Sequence, residues 1–220
     1  MDNHALHGRP VLGLAALFTI LSTTPLEAAT LAHFDFEDAG GAFSNLAELV
    51  APELTISAWS DADLTLGSVA GNPSSGWAVT AKDFDDGNEY RLSLSPVSGF
   101  NLALTGFSFD HRVSSSGPRT WELQLNGIPL AFGTTSTSFK SENIALSTVA
   151  DTAPFLLSLY GTGASNSAGT YRLDNVMVSG TLSAVPLPAS LWLFGSAIFG
   201  LVKAARTRTE TTAMQARDPA

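Results

Sequence analysis

The chain has 220 residues, 45% of them apolar and 14% charged, with no cysteine. That is the composition of a folded globular domain, and the missing thiols exclude disulfide frameworks, thiolate zinc sites and cysteine nucleophiles together. Between Thr30 and Ala184, sixteen Asp and Glu stand against six Lys and Arg, which repels a phosphate backbone and argues against nucleic acid as a partner.

At the amino end Arg9 precedes an apolar stretch from Val11 to Leu21, followed by Pro25 and the small pair Ala28 and Ala29. This pattern reads as a secretory signal peptide over residues 1–29, with an uncleaved anchor as the alternative.

From Thr30 to Leu182 apolar residues recur with period two in short runs bounded by Gly, Ser, Asn and Pro, as half-buried strands require. "LAHFDF" places Ala32, Phe34 and Phe36 on one face, and seven more runs follow, from "LTISAW" to "YRLDNVMVSGTL". In "QLNGIP" both Asn126 and Gly127 tolerate the positive φ of a type I′ turn, which predicts a hairpin. Gly106, and the pair Asp174-Asn175 that shifts the alternation onto Leu173, Val176 and Val178, predict bulges. Helical spacing is confined to residues 42–51, "AFSNLAELVA", where Leu46, Leu49 and Val50 suggest a turn or two of helix. The predicted fold is all-β: an antiparallel jelly-roll-type β-sandwich of eight or nine strands over residues 30–184.

Catalytic patterns are sparse. "FDHRVSSS" brings Asp110, His111 and Ser114 to Ser116 together in sequence, but neighbouring strand residues point to opposite faces, so Asp110 is badly placed to orient His111. The acidic loop "KDFDDGNEY", with Asp83, Asp85, Asp86 and Glu89, has oxygen ligands suited to calcium but not the EF-hand spacing. Its plainer reading is a solvated turn. Trp59, Trp77, Trp121 and Tyr171 are the rings available for sugar stacking, but aromatics dominate the packing of small sandwiches, so most of them are expected in the core.

The segment after Ala184 is different in kind. From Pro188 to Ala205 only Lys203 interrupts the apolar run. About eighteen helical residues at 1.5 Å each nearly match a bilayer core. Leu191, Trp192, Leu193, Phe194, Ile198, Phe199, Leu201 and Val202 leave no polar face, and the bases Lys203, Arg206 and Arg208 belong on the cytoplasmic side of such a span. Residues 209–220 then form a cytoplasmic tail.

"VPLPAS", the span containing "WLFGSAIFGL" and the basic cluster, in that order, resemble the PEP-CTERM sorting signal in its VPLPA-CTERM form, over about residues 185–208. The family's usual Glu between the prolines is Leu187 here, and the extension after the bases is longer than usual. The resemblance implies that Val185, Pro186, Leu187, Pro188 and Ala189 are read by an exosortase, a membrane cysteine transpeptidase. It further implies a Gram-negative bacterium that makes extracellular polysaccharide, with transient anchoring in the inner membrane and then display or release.

The opening "HFDFEDAGG" and closing "YRLDNVMVSG" also resemble the first and last strands of jelly-roll carbohydrate-binding modules, whose terminal strands lie side by side. By that resemblance Glu37 and Asp174 would hold a structural calcium; no other cofactor is implied. "FDFED", "FSFDHRVSSSGPRTW" and "YRLDNVMVSGTL" look like the β domain common to proteins with this tail. The expected function is that of an exported, non-enzymatic surface or matrix protein with a structural or adhesive role. A carbohydrate-binding module for extracellular polysaccharide, and an extracellular glycoside hydrolase, are the alternatives.

Overall fold

A computed structural model describes residues 28–60, 66–72, 76–84, 88–186, 190, 193, 194 and 196–199. The signal-peptide expectation falls on residues 1–29 and lies almost wholly outside them, since the first strand already begins at Ala29.

The described residues form twelve strands: β1 (Ala29–Phe34), β2 (Leu49–Val50), β3 (Leu54–Ile56), β4 (Gly67–Ala70), β5 (Trp77–Ala81), β6 (Glu89–Pro96), β7 (Phe100–Val113), β8 (Thr120–Leu125), β9 (Ile128–Thr134), β10 (Lys140–Ala145), β11 (Phe155–Thr162) and β12 (Tyr171–Ala184). A seven-stranded sheet runs β10-β7-β12-β1-β2, with β5 also paired to β12 and β4 to β5; a five-stranded sheet runs β3-β6-β11-β8-β9. All pairings are antiparallel. The two sheets enclose one core, so the chain is an antiparallel β-sandwich.

The alternation read from sequence positions that core. Ala32, Phe34 and Phe36 are fully buried, as are Leu173, Val176 and Val178. Edge-to-face contacts link Phe34 to Trp59 and Trp59 to Tyr90, and tilted rings continue through Phe84 and Tyr171. The Asn126-Gly127 turn has φ of 50° and 78°, and it joins β8 to β9 with Leu125 opposite Ile128. The terminal strands β1 and β12 pair directly, with Phe34 opposite Val176.

Both predicted bulges are present. Asn175 has φ 46° where the β12–β7 register slips between Asp174 and Met177, and a second slip falls between Ser179 and Gly180, beside Gly106. The first bulge marks the point where β12 changes neighbours: Tyr171 to Leu173 pair with β5, and Val176 to Gly180 pair with β1.

Residues 42–51 are not helical. Ser44, Glu48 and Ala51 donate their N–H groups to the carbonyls of Phe36, His33 and Leu31, so pairing beside β1 takes the donors that a helix would need. The strand count exceeds the expected eight or nine because short or polar strands such as β2, β4 and β10 lack a readable apolar alternation.

The second bulge makes a stability prediction. A Cβ at Gly180 would lie 2.3 Å from the Ala103 carbonyl oxygen and 2.7 Å from Leu31 Cδ1, whereas one at Gly106 meets nothing nearer than 3.5 Å. Gly180→Ala should lower unfolding free energy by about 1–3 kcal/mol, read as an earlier urea midpoint. Gly106→Ala should stay within about 0.5 kcal/mol of wild type.

Candidate functional site

Asp174 is fully buried on β12 and stands directly across from Asp110 on β7. Asp174 accepts the N–H of Asn72 at 2.6 Å and that of Asn175 at 2.8 Å. Asp110 accepts the side-chain amides of Asn72 and Asn175 at 2.8 and 2.9 Å and the Ser141 hydroxyl. Burial raises the Asp110 pKa, but those three donors and the nearby His111 outweigh it and hold the carboxyl below its ordinary value.

Glu37 follows β1, the strand beside β12, with its carboxylate against the backbone at Gly76 and a strand bridge to Phe43. Among the described residues no three carboxylate or histidine side chains converge as a cation cage, and the oxygens of Asp174 already face N–H donors.

The acidic loop is divided. Asp85 and Asp86 lie outside the described residues, Asp83 takes φ 60°, and Glu89 is a buried strand residue ion-paired to Arg91. Asp110 and His111 point to opposite faces of β7, and Ser114 donates its hydroxyl towards Ser116 or accepts from it while receiving the Thr170 N–H. No hydrolase triad assembles from them. Trp59, Trp121 and Tyr171 are 1%, 3% and 0% exposed, so they belong to the core; half-buried Trp77 donates its indole N–H to the Gly41 carbonyl at 2.9 Å.

A groove that sequence reading did not find lies where the sandwich opens between edge strands β9 and β10. Its volume is about 840 Å³. Trp121 and Gly133 form part of its wall, and their packing is tight: a Cβ at Gly133 would come 2.5 Å from the indole. On the rim the ring of Phe132 is 85% exposed. Around it stand the hydroxyls of Thr120, Thr134 and Thr162 and the carboxylates of Glu122 and Glu142.

The outer face of the five-stranded sheet extends this chemistry. Phe132 is opposite Glu122, Glu122 is opposite Tyr160, and Tyr160 is opposite Glu89. One row therefore crosses four strands at about 4.8 Å spacing. Gln124 donates to Glu122 at 2.8 Å within this face. Burial, then a hydrogen bond to Glu89, raises the Tyr160 pKa and keeps that phenol neutral.

Behind the groove, Glu142 Oε1 lies 2.6 Å from Lys140 Nζ and 3.4 Å from His111 Nε2. Burial lowers the His111 pKa more than Glu142 raises it. For Glu142, burial pushes the pKa up, while Lys140 and His111 together bring it below the ordinary carboxylate value.

The tail is described only in part. Val185 donates its N–H to the Gly99 carbonyl at 2.8 Å, and both Val185 and Pro186 are exposed. Leu187, Pro188, Ala189, Lys203, Arg206 and Arg208 lie outside the described residues. Residues 190, 193, 194 and 196–199 are helical, with Leu193, Phe194, Ile198 and Phe199 exposed. Among the described residues no helix is long and apolar enough to cross a membrane.

No protein-family model and no curated protein matches this chain. Solved structures similar to it include the CBM22-1 xylan-binding domain of Paenibacillus barcinonensis Xyn10C, with 13% identity and TM-score 0.41 over 56% of this chain and 85% of that one. A family 29 carbohydrate-binding module shows 14% identity and TM-score 0.41 over 70% of this chain and 90% of that one. A CBM36-1 domain of a multidomain xylanase from the hindgut metagenome of Trinervitermes trinervoides shows 13% identity and TM-score 0.39 over 61% and 99%.

The electrostatics behind the groove predict how stability depends on pH. A buried imidazole whose folded pKa is below 6.5 favours the fold only while neutral, so its contribution is complete above about pH 6.5 and is lost as pH falls through the lowered value. Glu142 and Asp110, also lowered, add their losses further into acid. The melting temperature should therefore decline in two stages, and His111→Gln should flatten only the first, which begins as pH falls below about 6.5. An unchanged slope in that variant would assign the loss to other groups.

Proposed function

We propose that this chain is an exported, non-catalytic glycan-binding protein of jelly-roll type that works at the cell surface or in the extracellular matrix. The observation that carries the reading is the groove: an 85% exposed phenyl ring at Phe132 beside threonine hydroxyls and carboxylates in an opening of about 840 Å³. A saccharide presents an apolar C–H face and a rim of hydroxyls to its partner. An exposed ring complements the first, and fixed acceptors and donors complement the second.

For the carboxyl end, the proposal is exosortase recognition of Val185, Pro186, Leu187, Pro188 and Ala189 while the following helix is held in the membrane, with Lys203, Arg206 and Arg208 retained on the cytoplasmic side. Two features support it. Val185 and Pro186 are exposed directly after β12, and the helical side chains that follow remain outside the sandwich core. Pro186 and Pro188 disfavour helix and keep the recognition segment extended.

Binding is tested by affinity electrophoresis against glucan, mannan and xylan. Wild type should be retarded by at least one of them, and Phe132→Ala should weaken that interaction about tenfold, or ~1.4 kcal/mol, without changing the melting temperature. Wild-type mobility unaltered by every polysaccharide would favour a structural or adhesive role instead.

Sorting is tested by mass spectrometry of the carboxyl terminus of extracellular protein. Processed protein should end near Pro188 or Ala189 and lack "WLFGSAIFGL", and changing both Pro186 and Pro188 to Ala should reduce processing while export persists. Full-length extracellular protein in the presence of a matching exosortase would instead mean a plain anchor.

A further inference from the structure

We infer that Glu142 is the hydroxyl-accepting group that sets the specificity of the groove, admitting neutral glycan chains and excluding uronate chains. This rests on the glycan-binding reading and names its ligand class.

Glu142 lies on edge strand β10, in register with Phe109 on β7, and its side chain is 18% exposed. Lys140 Nζ at 2.6 Å and His111 Nε2 at 3.4 Å both engage Oε1. The second oxygen, Oε2, is left for a ligand. A carboxylate only accepts hydrogen bonds, and those it accepts from hydroxyls are charge-assisted. Neutral sugars supply such donors in number.

The groove also carries a second carboxylate, Glu122, against the single ammonium of Lys140, and that ammonium is already committed to Glu142. An incoming uronate would meet two like charges and no uncommitted cation, which selects against it. Ionisation at neutral pH follows from the pair of cationic or polar neighbours, which hold the Glu142 pKa below its ordinary value despite burial.

His111 acts through Glu142 as a positioning residue. It is fully buried, its ring is fixed 5.4 Å from Phe109 and 5.9 Å edge-on to Tyr171, Nδ1 has no hydrogen-bond partner, and Nε2 faces Glu142 Oε1. The charged and titratable groups facing it are Glu142 and Lys140 from β10, Asp110 from its own strand and the Tyr171 hydroxyl from β12. With no other hydrogen bond to satisfy, the imidazole is free to hold the carboxylate where the groove needs it.

The test is calorimetric titration of the full-length chain with cellohexaose, mannohexaose, xylohexaose and a hexameric oligogalacturonate. Wild type should bind at least one neutral hexamer, with the uronate about tenfold weaker or worse. Glu142→Gln should cost the neutral ligand about tenfold, the scale of a hydrogen bond to a charged group, and should narrow the gap to the uronate. Lys140→Gln removes an exposed cation without touching the core, so it should fold even if the first variant does not, and it should widen the gap. His111→Gln should flatten the pH profile of neutral-chain affinity below about pH 6.5.

Neutral binding and uronate discrimination both unchanged in Glu142→Gln would overturn this inference and leave the groove reading intact. So would a narrowed gap in Lys140→Gln, or a wild type that prefers the uronate. A wild type that binds none of the hexamers would overturn the groove reading and this inference together.

Discussion

Two carboxylates, Asp110 and Asp174, stand directly opposite each other on adjacent strands in the middle of the larger sheet. Like charges in that position repel, and burial deepens the cost. The arrangement persists because hydrogen-bond donors surround it: Asn72 gives both its backbone and its side-chain N–H, Asn175 does the same, and Ser141 adds a hydroxyl. Asn175 can supply both donors because the bulge turns its backbone to φ 46°. At that same bulge β12 exchanges β5 for β1 as its neighbour. The carboxylate pair, the bulge and the branching of the sheet are thus one feature, and it ties the loop at Asn72, strand β10 at Ser141 and both terminal strands to a single point.

Anchoring β10 through Ser141 has a consequence at the next residue. Alternation sends Ser141 to the outer face and Glu142 to the inner one, so fixing the first against Asp110 presents the second to the opening between the sheets. There β9 and β10 are the edges of different sheets and do not pair with each other. Trp121 closes the core at this opening, and Gly133 lets β9 pass over the indole at a distance that excludes any side chain. The groove is the space left outside that closure. Its polar wall and the stability of the sheet therefore share one strand, which makes the groove a rigid feature rather than a loop.

Sequence carried the buried half of this molecule well. Period-two alternation identified the strands that contribute Phe34, Leu173 and Val178, because each has one face in the core and one in water. The Asn126-Gly127 turn and the bulge at Asn175 were legible because few residues tolerate those backbone angles, and the bulge at Gly106 because a glycine interrupts an apolar strand pattern. The expectation that most large rings fill the core holds for Trp59, Trp121 and Tyr171, because burial is set by which face of the strand a ring occupies and how near the sheet edge it lies. Trp121 shares the inner face of β8 with Leu123 and Leu125, and that periodicity alone assigns it to the core.

The groove stayed hidden because it belongs to edges. "KSENIA" has no apolar alternation, since an edge strand at the mouth of a sandwich needs polar residues on both faces and guards against pairing with other chains. On β9 a bulge beside Leu130 disturbs the alternation of "IPLAFGT", so Phe132 reads as one more core residue in a run of apolar ones. Its partner decides otherwise: Phe132 is opposite Glu122, whose neighbours along β8 are the core residues Trp121 and Leu123. A residue in register with Glu122 must share its outward face. Once the turn at Asn126-Gly127 and the one-residue bulge are both counted, the pairing places this ring in solvent, and an apolar ring held there on a rigid strand is available for a ligand.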